Sequence, residues 1–598
     1  MNKKRKHYAG EIRRSQYIYS YGPGAIVNVK TNKGSLSLCM GDLRSWEYDR
    51  TAKNRKTQQV NDERIIRALK KEEFKGAFDN INHFRLPPVD NEQDQGQSNL
   101  VGSNFPTWML CPNCRRLFNL ADNKQSQQAL WVSGGFNRKC AHCSSVKKDV
   151  ILVPTRFVVS CNKGHLDSLD YKFWLNKFGV HMETGEPVNQ TSCDHINLRL
   201  KQSKGSLSIQ DLMITCDDEC KGIASLGDVF RQSFKCRGGV PWKTFDSDYP
   251  EPEECNEKAK VFQRNSRSLW QRKSISALSI PPLDYEFPKR VGSNAYSYLQ
   301  KKGKEALEIF WDEIRENWEV ETGNQIPYTK DKFWQTFLEE QKKYDDLSSD
   351  IYEDEFKIFT SDNIEKINEF EKIKRPVPES YLNIKAVIEV QKLKVVDALI
   401  GFTRNNGEVN FYNDYKTSKF LPAISIFGEG IFIDFDQNFI NNFLKKSGLE
   451  REWKLFRDDF EPSERRKTLL NTISHCMLKA TAKSSGYSLT SLKQRLYCNE
   501  KMSGILIYTS SSDAEGTLGG LSRLAETKRM DEILKIAEQI SSICSNDPLC
   551  EEGIFSLDND NNGSVCHSCL LVPETSCEFN NEYLSRGLLK NFWSELKN

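Results

Sequence analysis

The 598-residue sequence predicts an α+β protein of several domains, and three features of the chain lead to this prediction. Its length is several times the roughly 150 residues of an average domain, so more than one hydrophobic core is expected. Its 18 cysteines fall mostly into groups, in the N-terminal half and at the C-terminal end. Between these groups, a charged segment with helical periodicity gives way to segments rich in β-branched and aromatic residues.

The composition is typical of a folded protein in a reducing compartment. Hydrophobic residues make up 38% of the chain and charged residues 28%, which excludes global disorder. No stretch reaches the roughly 18 consecutive apolar residues of a membrane helix, and the first residues are polar and basic, unlike a secretion signal. We therefore expect a cytoplasmic protein with no membrane contact. Cysteines in that compartment favour metal binding over disulfides.

The motif with the most specific spacing joins two Cys-x-x-Cys pairs. Cys111 and Cys114 are followed after 25 residues by Cys140 and Cys143. Two such pairs supply the four ligands of a tetrahedral zinc site, and they predict a zinc ribbon. A thioredoxin-like redox motif is the alternative, but it requires a β-α-β context that the polar stretch 119–128 does not provide.

A second set of cysteines has looser spacing. Its members are Cys216, Cys220, Cys236 and Cys255. Two nearby Cys/His pairs can replace one of these ligands or form another site, namely Cys161 with His165 and Cys193 with His195. Some of these thiols can also be buried apolar side chains without a metal.

The third set closes the chain and contains one sulfur more than a zinc site takes. Its members are Cys544, Cys550, Cys566, Cys569 and Cys577. An apolar pattern at spacings of three and four residues over 521–543 predicts an amphipathic helix leading into this set. Because a structural zinc site takes four ligands, at least one of the five sulfurs is surplus. Together, the three sets predict two or three structural Zn²⁺ sites.

The helical and strand patterns of the sequence divide the chain into five predicted segments. The segment 301–374 carries aromatic residues at helical spacing, and the chain beyond Pro376 is richer in strand patterns. The predicted segments are an N-terminal β-containing segment (1–105), a zinc ribbon (106–160), a second cysteine-rich region (161–290), a helical insertion (291–375) and a mixed α/β C-terminal domain closed by a cysteine-rich zinc site (376–598).

The overall charge does not identify a nucleic-acid-binding protein. The formal net charge is only +3, so contacts with DNA phosphates must come from local patches of basic residues. Such patches are also common on solvated surfaces that bind nothing. The candidate DNA-binding residues are Arg138, Lys139, Arg264, Arg267, Arg272, Lys273 and Arg404.

The order of several short motifs resembles the DrmB family of DISARM anti-phage systems. In the N-terminal part, the resemblance lies in the motif 21–27 (YGPGAIV), the CPNC and CAHC pairs, the motif 161–167 (CNKGHLD), the motif 236–242 (CRGGVPW) and the motif 276–281 (SALSIP). The C-terminal part is similar to a domain of unknown function that is appended to some DNA helicases. That similarity lies in the motifs 401–404 (GFTR), 428–432 (GEGIF), 474–475 (SH) and 513–520 (DAEGTLGG), and in the CHSC pair.

The resemblance implies a role in bacterial defence. It implies a non-catalytic, regulatory subunit that engages invading DNA beside a DrmA-type helicase, in a system whose methyltransferase marks the host DNA. In the helicase-appended form of the C-terminal domain, four cysteines hold a metal, and Cys544, Cys550, Cys566 and Cys569 match them. Cys577 goes beyond that pattern.

Motor chemistry is expected from the partner. The chain has no GxxxxGK[ST] phosphate loop, so neither ATP hydrolysis nor a small-molecule substrate is expected.

Two other functions compete with this reading. A metal-dependent nuclease or other hydrolase would use His475, Asp513 and Glu515, with Glu429 as a further carboxylate, to bind Mg²⁺ or activate water. No complete acid and base pair can be assigned to it from the sequence. A purely structural zinc protein would bridge other proteins without any contact to nucleic acid.

Overall fold

The structure, a computed structural model, describes residues 13–31, 34–45, 59–60, 62–74, 76–88, 100–133, 136–144, 149–188, 193–202, 208–243, 254–281, 287–345, 350–362, 369–412, 419–457, 460–509, 520–556 and 561–597. Two compact units share the chain. The first unit consists of Met1–Gln59, Arg85–Ser274 and Leu399–Pro422, and the second consists of Val60–Phe84, Ile275–Ala398 and Ala423–Asn598. Among the described helices, none has the length and hydropathy needed to cross a membrane. The division into five segments is finer than these two units and stays a prediction.

The first unit is built from small antiparallel sheets with short strands. Its three-stranded sheets are Ile26–Thr31, Gly34–Met40 and Gly102–Asn104, and Val153–Pro154, Trp108–Leu110 and Leu117–Asn119. Its four-stranded sheets are Leu166–Ser168, Phe157–Ser160, Lys258–Gln263 and Ser233–Lys235, and Val180–His181, Gly222–Ser225, Leu212–Cys216 and Leu198–Gln202. A hairpin pairs Ala129–Trp131 with Arg138–Cys140. The α-helices are Arg14–Tyr19, Asn123–Ser126 and Tyr171–Phe178.

The largest sheet of the described chain has nine strands. Its main path runs through Gln271–Leu278, Ile384–Thr403, Phe420–Phe435, Met502–Thr509 and Leu492–Asn499. The shorter strands Gln59–Val60, His83–Arg85, Glu371–Arg375 and Asn410–Phe411 pair off this path. In the second unit, Ile431 pairs with Ile507 and Ile433 with Ile505, so the apolar residues of neighbouring strands lie side by side.

The helices of the second unit include the predicted helical insertion. They are Glu63–Leu69, Phe287–Val291, Ser293–Lys302, Lys304–Thr322, Lys330–Asp345, Ile351–Thr360, Gln437–Leu444, Glu450–Trp453, Pro462–Ser485, Thr527–Ser542 and Phe592–Lys597. The insertion has a core of its own, in which Leu307, Ile314, Trp318 and Phe333 are buried. The observed mixture of helices and sheets confirms the predicted α+β class.

The helix Pro462–Ser485 forms the centre of the C-terminal core. Pro462 begins the helix, where its missing N–H costs no hydrogen bond. Gly486 ends it with φ +77°, a left-handed conformation that favours glycine. Leu470 and Ile473 of this helix lie in one buried cluster with sheet residues and with all five cysteines of the third predicted set.

A buried ion pair holds several elements of the second unit together. Arg495 Nε lies 2.6 Å from Glu355 Oε2, and both side chains are almost completely buried. The same carboxylate accepts hydrogen bonds from Tyr497 Oη at 3.0 Å and from the backbone N–H of Leu278 at 2.8 Å. Burial raises the pKa of Glu355, and the Arg495 guanidinium opposes that shift. The pair therefore links a helix, a strand and the edge of the sheet.

Replacing Arg495 with methionine is expected to destabilise the protein by about 3 kcal/mol, because it leaves the buried Glu355 carboxylate without its main counter-charge. The measurement is the denaturation midpoint in urea, followed by circular dichroism. Arg315→Met is the control, since Arg315 pairs with Asp312 at the surface and its loss should change the midpoint little. Equal midpoints for the two variants would contradict this assignment.

Candidate metal centres

The structure brings sulfur and imidazole ligands together in four groups of four. In each group, the ligand atoms all lie within 4.8 Å of one another. All 18 cysteines are free thiols rather than disulfides. The first group is Cys111, Cys114, Cys140 and Cys143; the second is Cys161, His165, Cys236 and Cys255; the third is Cys193, His195, Cys216 and Cys220; the fourth is Cys544, Cys550, Cys566 and Cys569.

The first group lies between two β-turns of a ribbon, as the sequence pattern predicts. Cys111 follows the strand Trp108–Leu110, and its N–H donates to the carbonyl of Arg116 at 2.9 Å. The turn closes with Arg115 at φ +62°, and the Cys114 N–H points at Cys111 Sγ over 3.4 Å. Cys140 ends the hairpin strand Arg138–Cys140 and brings its sulfur to 3.8 Å from Cys114 Sγ.

The second group joins residues that are far apart in the chain. His165 Nδ1 lies 3.5 Å from Cys161 Sγ and 3.5 Å from Cys236 Sγ. Cys161 directly follows the strand Phe157–Ser160, and Cys236 follows Ser233–Lys235. These two strands belong to one sheet, in which Lys258–Gln263 lies between them. The N–H of Gly238 points at Cys236 Sγ over 3.4 Å, which orients that sulfur. Sheet pairing therefore assembles this group.

The third group includes a histidine whose orientation is fixed by a neighbour. His195 Nε2 lies 2.7 Å from Asn176 Oδ1, and because this oxygen only accepts, Nε2 carries the proton. The unprotonated Nδ1 then faces Cys220 Sγ at 3.4 Å. A hydrogen bond from the far ring nitrogen is the usual way to orient a metal-binding histidine. Asn176 has no spacing signal in the sequence and was not predicted.

The structure separates the second predicted cysteine set into two groups. Cys216 and Cys220 lie with Cys193 and His195, whereas Cys236 and Cys255 lie with Cys161 and His165. The sequence left both Cys/His pairs as alternatives, and their short spacing was the signal that could identify them. The spacing did not show which Cys/His pair joins which cysteines, because the pairing of strands brings these residues together.

All four ligands of the fourth group are buried. Its sulfur separations are 3.4 Å between Cys544 and Cys566, 3.7 Å between Cys550 and Cys569, and 3.8 Å between Cys566 and Cys569. Burial raises the pKa of Cys550 and of Cys569. Burial acts in the same direction on Cys566, but hydrogen bonds, the largest from Asn546, lower its pKa to about 6. A thiol with a lowered pKa is predisposed to the thiolate form that binds metals.

The residues present fit a tetrahedral zinc ion. With Zn–S bonds of about 2.3 Å, neighbouring sulfurs of a tetrahedron lie about 3.8 Å apart. The sulfur pairs of the first and fourth groups fall between 3.4 and 3.8 Å. Cys193 and Cys216 of the third group are 4.0 Å apart. Sulfur and imidazole donors without carboxylates favour zinc over magnesium or calcium.

Cys577 lies outside the fourth group. Its sulfur faces His475 Nε2 at 3.2 Å and receives the N–H of Asn581 at 3.2 Å. Burial raises the pKa of Cys577 to about 11, so the group is a thiol. The structure therefore does not place this predicted ligand at the metal centre.

His475, the proposed catalytic histidine of the hydrolase alternative, is completely buried. Its Nδ1 donates to the carbonyl of Leu570 at 2.9 Å, which leaves Nε2 to accept from the Cys577 thiol. Burial lowers the pKa of His475 to about 4, so the imidazole is neutral near pH 7. In this position it links the central helix to the C-terminal segment and has no access to solvent water.

The hydrolase hypothesis also names three carboxylates, and the structure describes one of them, Glu429. Glu429 is fully buried, and its Oε1 and Oε2 accept the N–H groups of Leu521 and Ser522 at 2.9 and 3.3 Å. It therefore anchors the chain that leads into the helix Thr527–Ser542. Asp513 and Glu515 lie outside the described residues.

Arg404 is the centre of a buried network in the first unit. It has no exposed surface, and its guanidinium donates to the carbonyls of Gly164 at 2.9 Å, Gly24 at 2.7 Å and Leu269. The cation lies 4.7 Å from the Phe402 ring centroid. The expectation that Arg404 contacts DNA is corrected by this burial, because all three guanidinium nitrogens are directed at backbone carbonyls.

The other candidate DNA-binding residues lie nearer the surface. Arg138 stacks on Trp131, with its Cζ 3.4 Å from the ring centroid, and Lys139 forms a 2.8 Å ion pair with Asp149. Arg272 Cζ lies 4.5 Å from the Tyr19 ring centroid. Lys273 is exposed, and the remaining two are half-buried, namely Arg264 and Arg267.

Comparison with known proteins agrees with this arrangement. Residues 13–271 match a family described as a domain of unknown function (DUF8724), and this range contains the first three groups. Residues 473–570 match the MrfA Zn-binding domain, and this range contains the whole fourth group. The chain is 29% identical over 596 residues to the DISARM protein DrmB of Bacillus paralicheniformis, a match that covers 92% of this chain and 96% of that protein. The resemblance carried by the sequence motifs is therefore confirmed: this chain is similar to DrmB over most of its length, and its C-terminal part matches the MrfA Zn-binding domain.

Proposed function

We propose that this chain is a DrmB-type subunit of a DISARM anti-phage system, and that it engages DNA beside a DrmA-type helicase without catalysing a reaction itself. The observation that carries the proposal is the similarity to a DISARM protein over 92% of the chain. A match of that extent includes both compact units, so it concerns the whole arrangement rather than one zinc-binding motif.

Each of the four ligand groups is proposed to hold one Zn²⁺ ion, which exceeds the two or three sites expected from the sequence. The support is the sulfur spacing and the absence of carboxylates from all four ligand sets. Bound zinc would supply structural cross-links here, since each group has four protein ligands and leaves no open position for a substrate. Its role would be to stabilise the short strands of the first unit and the C-terminal segment of the second.

The non-catalytic role is supported by the state of the described candidate residues. His475 is held neutral and buried between Leu570 and Cys577, and Glu429 is held by two backbone N–H groups. Neither side chain is in a position to activate water. The sequence also lacks the phosphate loop of a nucleotide-driven motor.

Metal analysis of the purified full-length chain is expected to find about four zinc ions per molecule, because every group offers a complete ligand set. Cys569→Ser should remove about one of them. Cys577→Ser is the matched control and should retain the full content, since its sulfur belongs to the His475 contact. Loss of zinc from Cys577→Ser equal to that from Cys569→Ser would contradict the ligand assignment.

Co-expression with the helicase of the same system is expected to yield a complex that stays together through size-exclusion chromatography. ATPase activity should be found in the complex and in the helicase alone, but not in this chain alone. Recovery of the two proteins in separate peaks at low salt would contradict the proposed partnership.

The isolated chain is expected to bind DNA with an affinity that falls as salt rises, because phosphate contacts release counterions. The double substitution Arg267→Ala and Lys273→Ala should lower the salt slope by about one to two units. The control is Lys301→Ala with Lys342→Ala, two exposed lysines of the helical insertion.

The assay is fluorescence anisotropy with labelled duplex and single-stranded DNA, with Mg²⁺ present so that cleavage would also be seen. Salt-independent or undetectable binding at low salt would favour a protein bridge without DNA contact. Cleavage that Asp513→Ala with Glu515→Ala abolishes would instead favour the hydrolase.

A further inference from the structure

A cavity of about 390 Å³ lies beside the second ligand group. His165, Cys236 and Cys255 line one side of it. Its other walls are largely apolar and include the rings of Phe173 and Phe234, whose centroids are 5.9 Å apart. A volume in this range suits a single side chain or a small ligand. Nothing in the proposed zinc-scaffold role uses this space.

Four charged side chains at the rim of the cavity are paired with one another. Arg237 Nη2 lies 2.8 Å from Asp170 Oδ2, and Lys235 Nζ lies 3.9 Å from Glu254 Oε1. In both pairs the basic side chain is more than half exposed. The two cations and two carboxylates offset each other in number, and Arg237 also attracts Asp167. Lys177 Nζ lies 5.8 Å from the Phe173 ring centroid and 5.7 Å from that of Phe234, but it does not line the cavity.

Besides the paired Asp170 and Glu254, the cavity has a third carboxylate, that of Asp167. It lines the cavity, is half-buried, and forms no salt bridge within the described part of the chain. The backbone of Gly239 passes close to this carboxylate. A Cβ at Gly239 would lie 2.5 Å from the carboxylate, so the absence of a side chain there is what lets the backbone approach. Both carboxylate oxygens can accept hydrogen bonds from a ligand.

With a divalent ion bound, as proposed above, the neighbouring ligand group would add to the negative charge. Three thiolates and a neutral imidazole around a divalent cation carry a net charge of about −1. Together with Asp167, this favours a cation in the cavity and disfavours a phosphate or carboxylate. The apolar walls suit the methylene stem that carries the charged end of a basic side chain.

We propose that this cavity binds a basic side chain of a partner polypeptide, with arginine preferred over lysine. The planar guanidinium can place two N–H groups on the Asp167 oxygens, whereas an ammonium is a point charge with a larger hydration cost. The stem would lie against Phe173 and Phe234. This inference goes beyond the proposed function, because it assigns a protein contact to a surface that neither zinc binding nor DNA binding requires.

The test uses the zinc-loaded full-length chain and N-acetyl-arginine methylamide as the probe, with binding followed by ligand-observed NMR. Saturable binding is expected, with N-acetyl-lysine methylamide weaker and N-acetyl-norleucine methylamide, which has no charge, weaker still. Asp167→Asn should weaken binding of the arginine probe about tenfold or more, since hydrogen bonds to a charged partner are lost. Phe173→Ala, at a side chain that is 43% exposed, should weaken it less while leaving the fold intact.

Asp228→Asn is the matched control, because Asp228 is an exposed carboxylate of the same unit that pairs with Arg231 away from the cavity. It should bind the arginine probe as the unchanged chain does. Equal binding by Asp167→Asn, or no saturable binding by any probe, would overturn the proposal. Binding of guanosine that depends on Asp167, with none of the arginine probe, would also overturn it and indicate a nucleobase site. These outcomes are independent of helicase co-purification and DNA binding, so the two proposals can fail separately.

Discussion

Convergence of thiol and imidazole ligands on four points is the constraint on which the rest of the structure depends. Most strands of the first unit have between two and six residues, too short to bury much apolar surface each. The first three ligand groups lie where such strands end or turn. Sulfur atoms this close carry unfavourable mutual repulsion as thiolates, and a bound divalent cation converts that repulsion into a cross-link. The proposed zinc ions therefore substitute for a large core.

Two buried arginines also hold separate segments of the chain together. Arg404 in the first unit satisfies three backbone carbonyls that come from separate parts of the chain. Arg495 in the second unit pairs with Glu355 and fixes a helix against the sheet. A buried guanidinium can serve this purpose because it presents donors in several directions and keeps its charge. Each network therefore fixes the relative positions of chain segments, which apolar packing alone would leave variable.

The C-terminal cysteines have two different roles. Four sulfurs form the compact fourth group, while Cys577, which follows Cys569 closely in the sequence, contacts His475 of the distant helix Pro462–Ser485. The proposed function therefore assigns metal binding to one set and helix anchoring to the other. In the first unit, the second group serves both as a proposed cross-link and as one wall of the cavity that Asp167 lines. A structural ion can in this way also set the charge preference of a neighbouring binding site.

The sequence by itself determined the features that depend on local spacing. Residues two or three positions apart, such as Cys111 with Cys114 and Cys566 with Cys569, meet through the geometry of one turn, so their pairing needs no further information. The helical insertion could likewise be predicted, because amphipathic periodicity is a local property. Only the tertiary structure decided which pairs share a centre, why Cys577 is excluded, and that Arg404 is buried rather than exposed. The physical reason is that these outcomes depend on strand pairing and burial between residues far apart in the chain, which spacing does not encode.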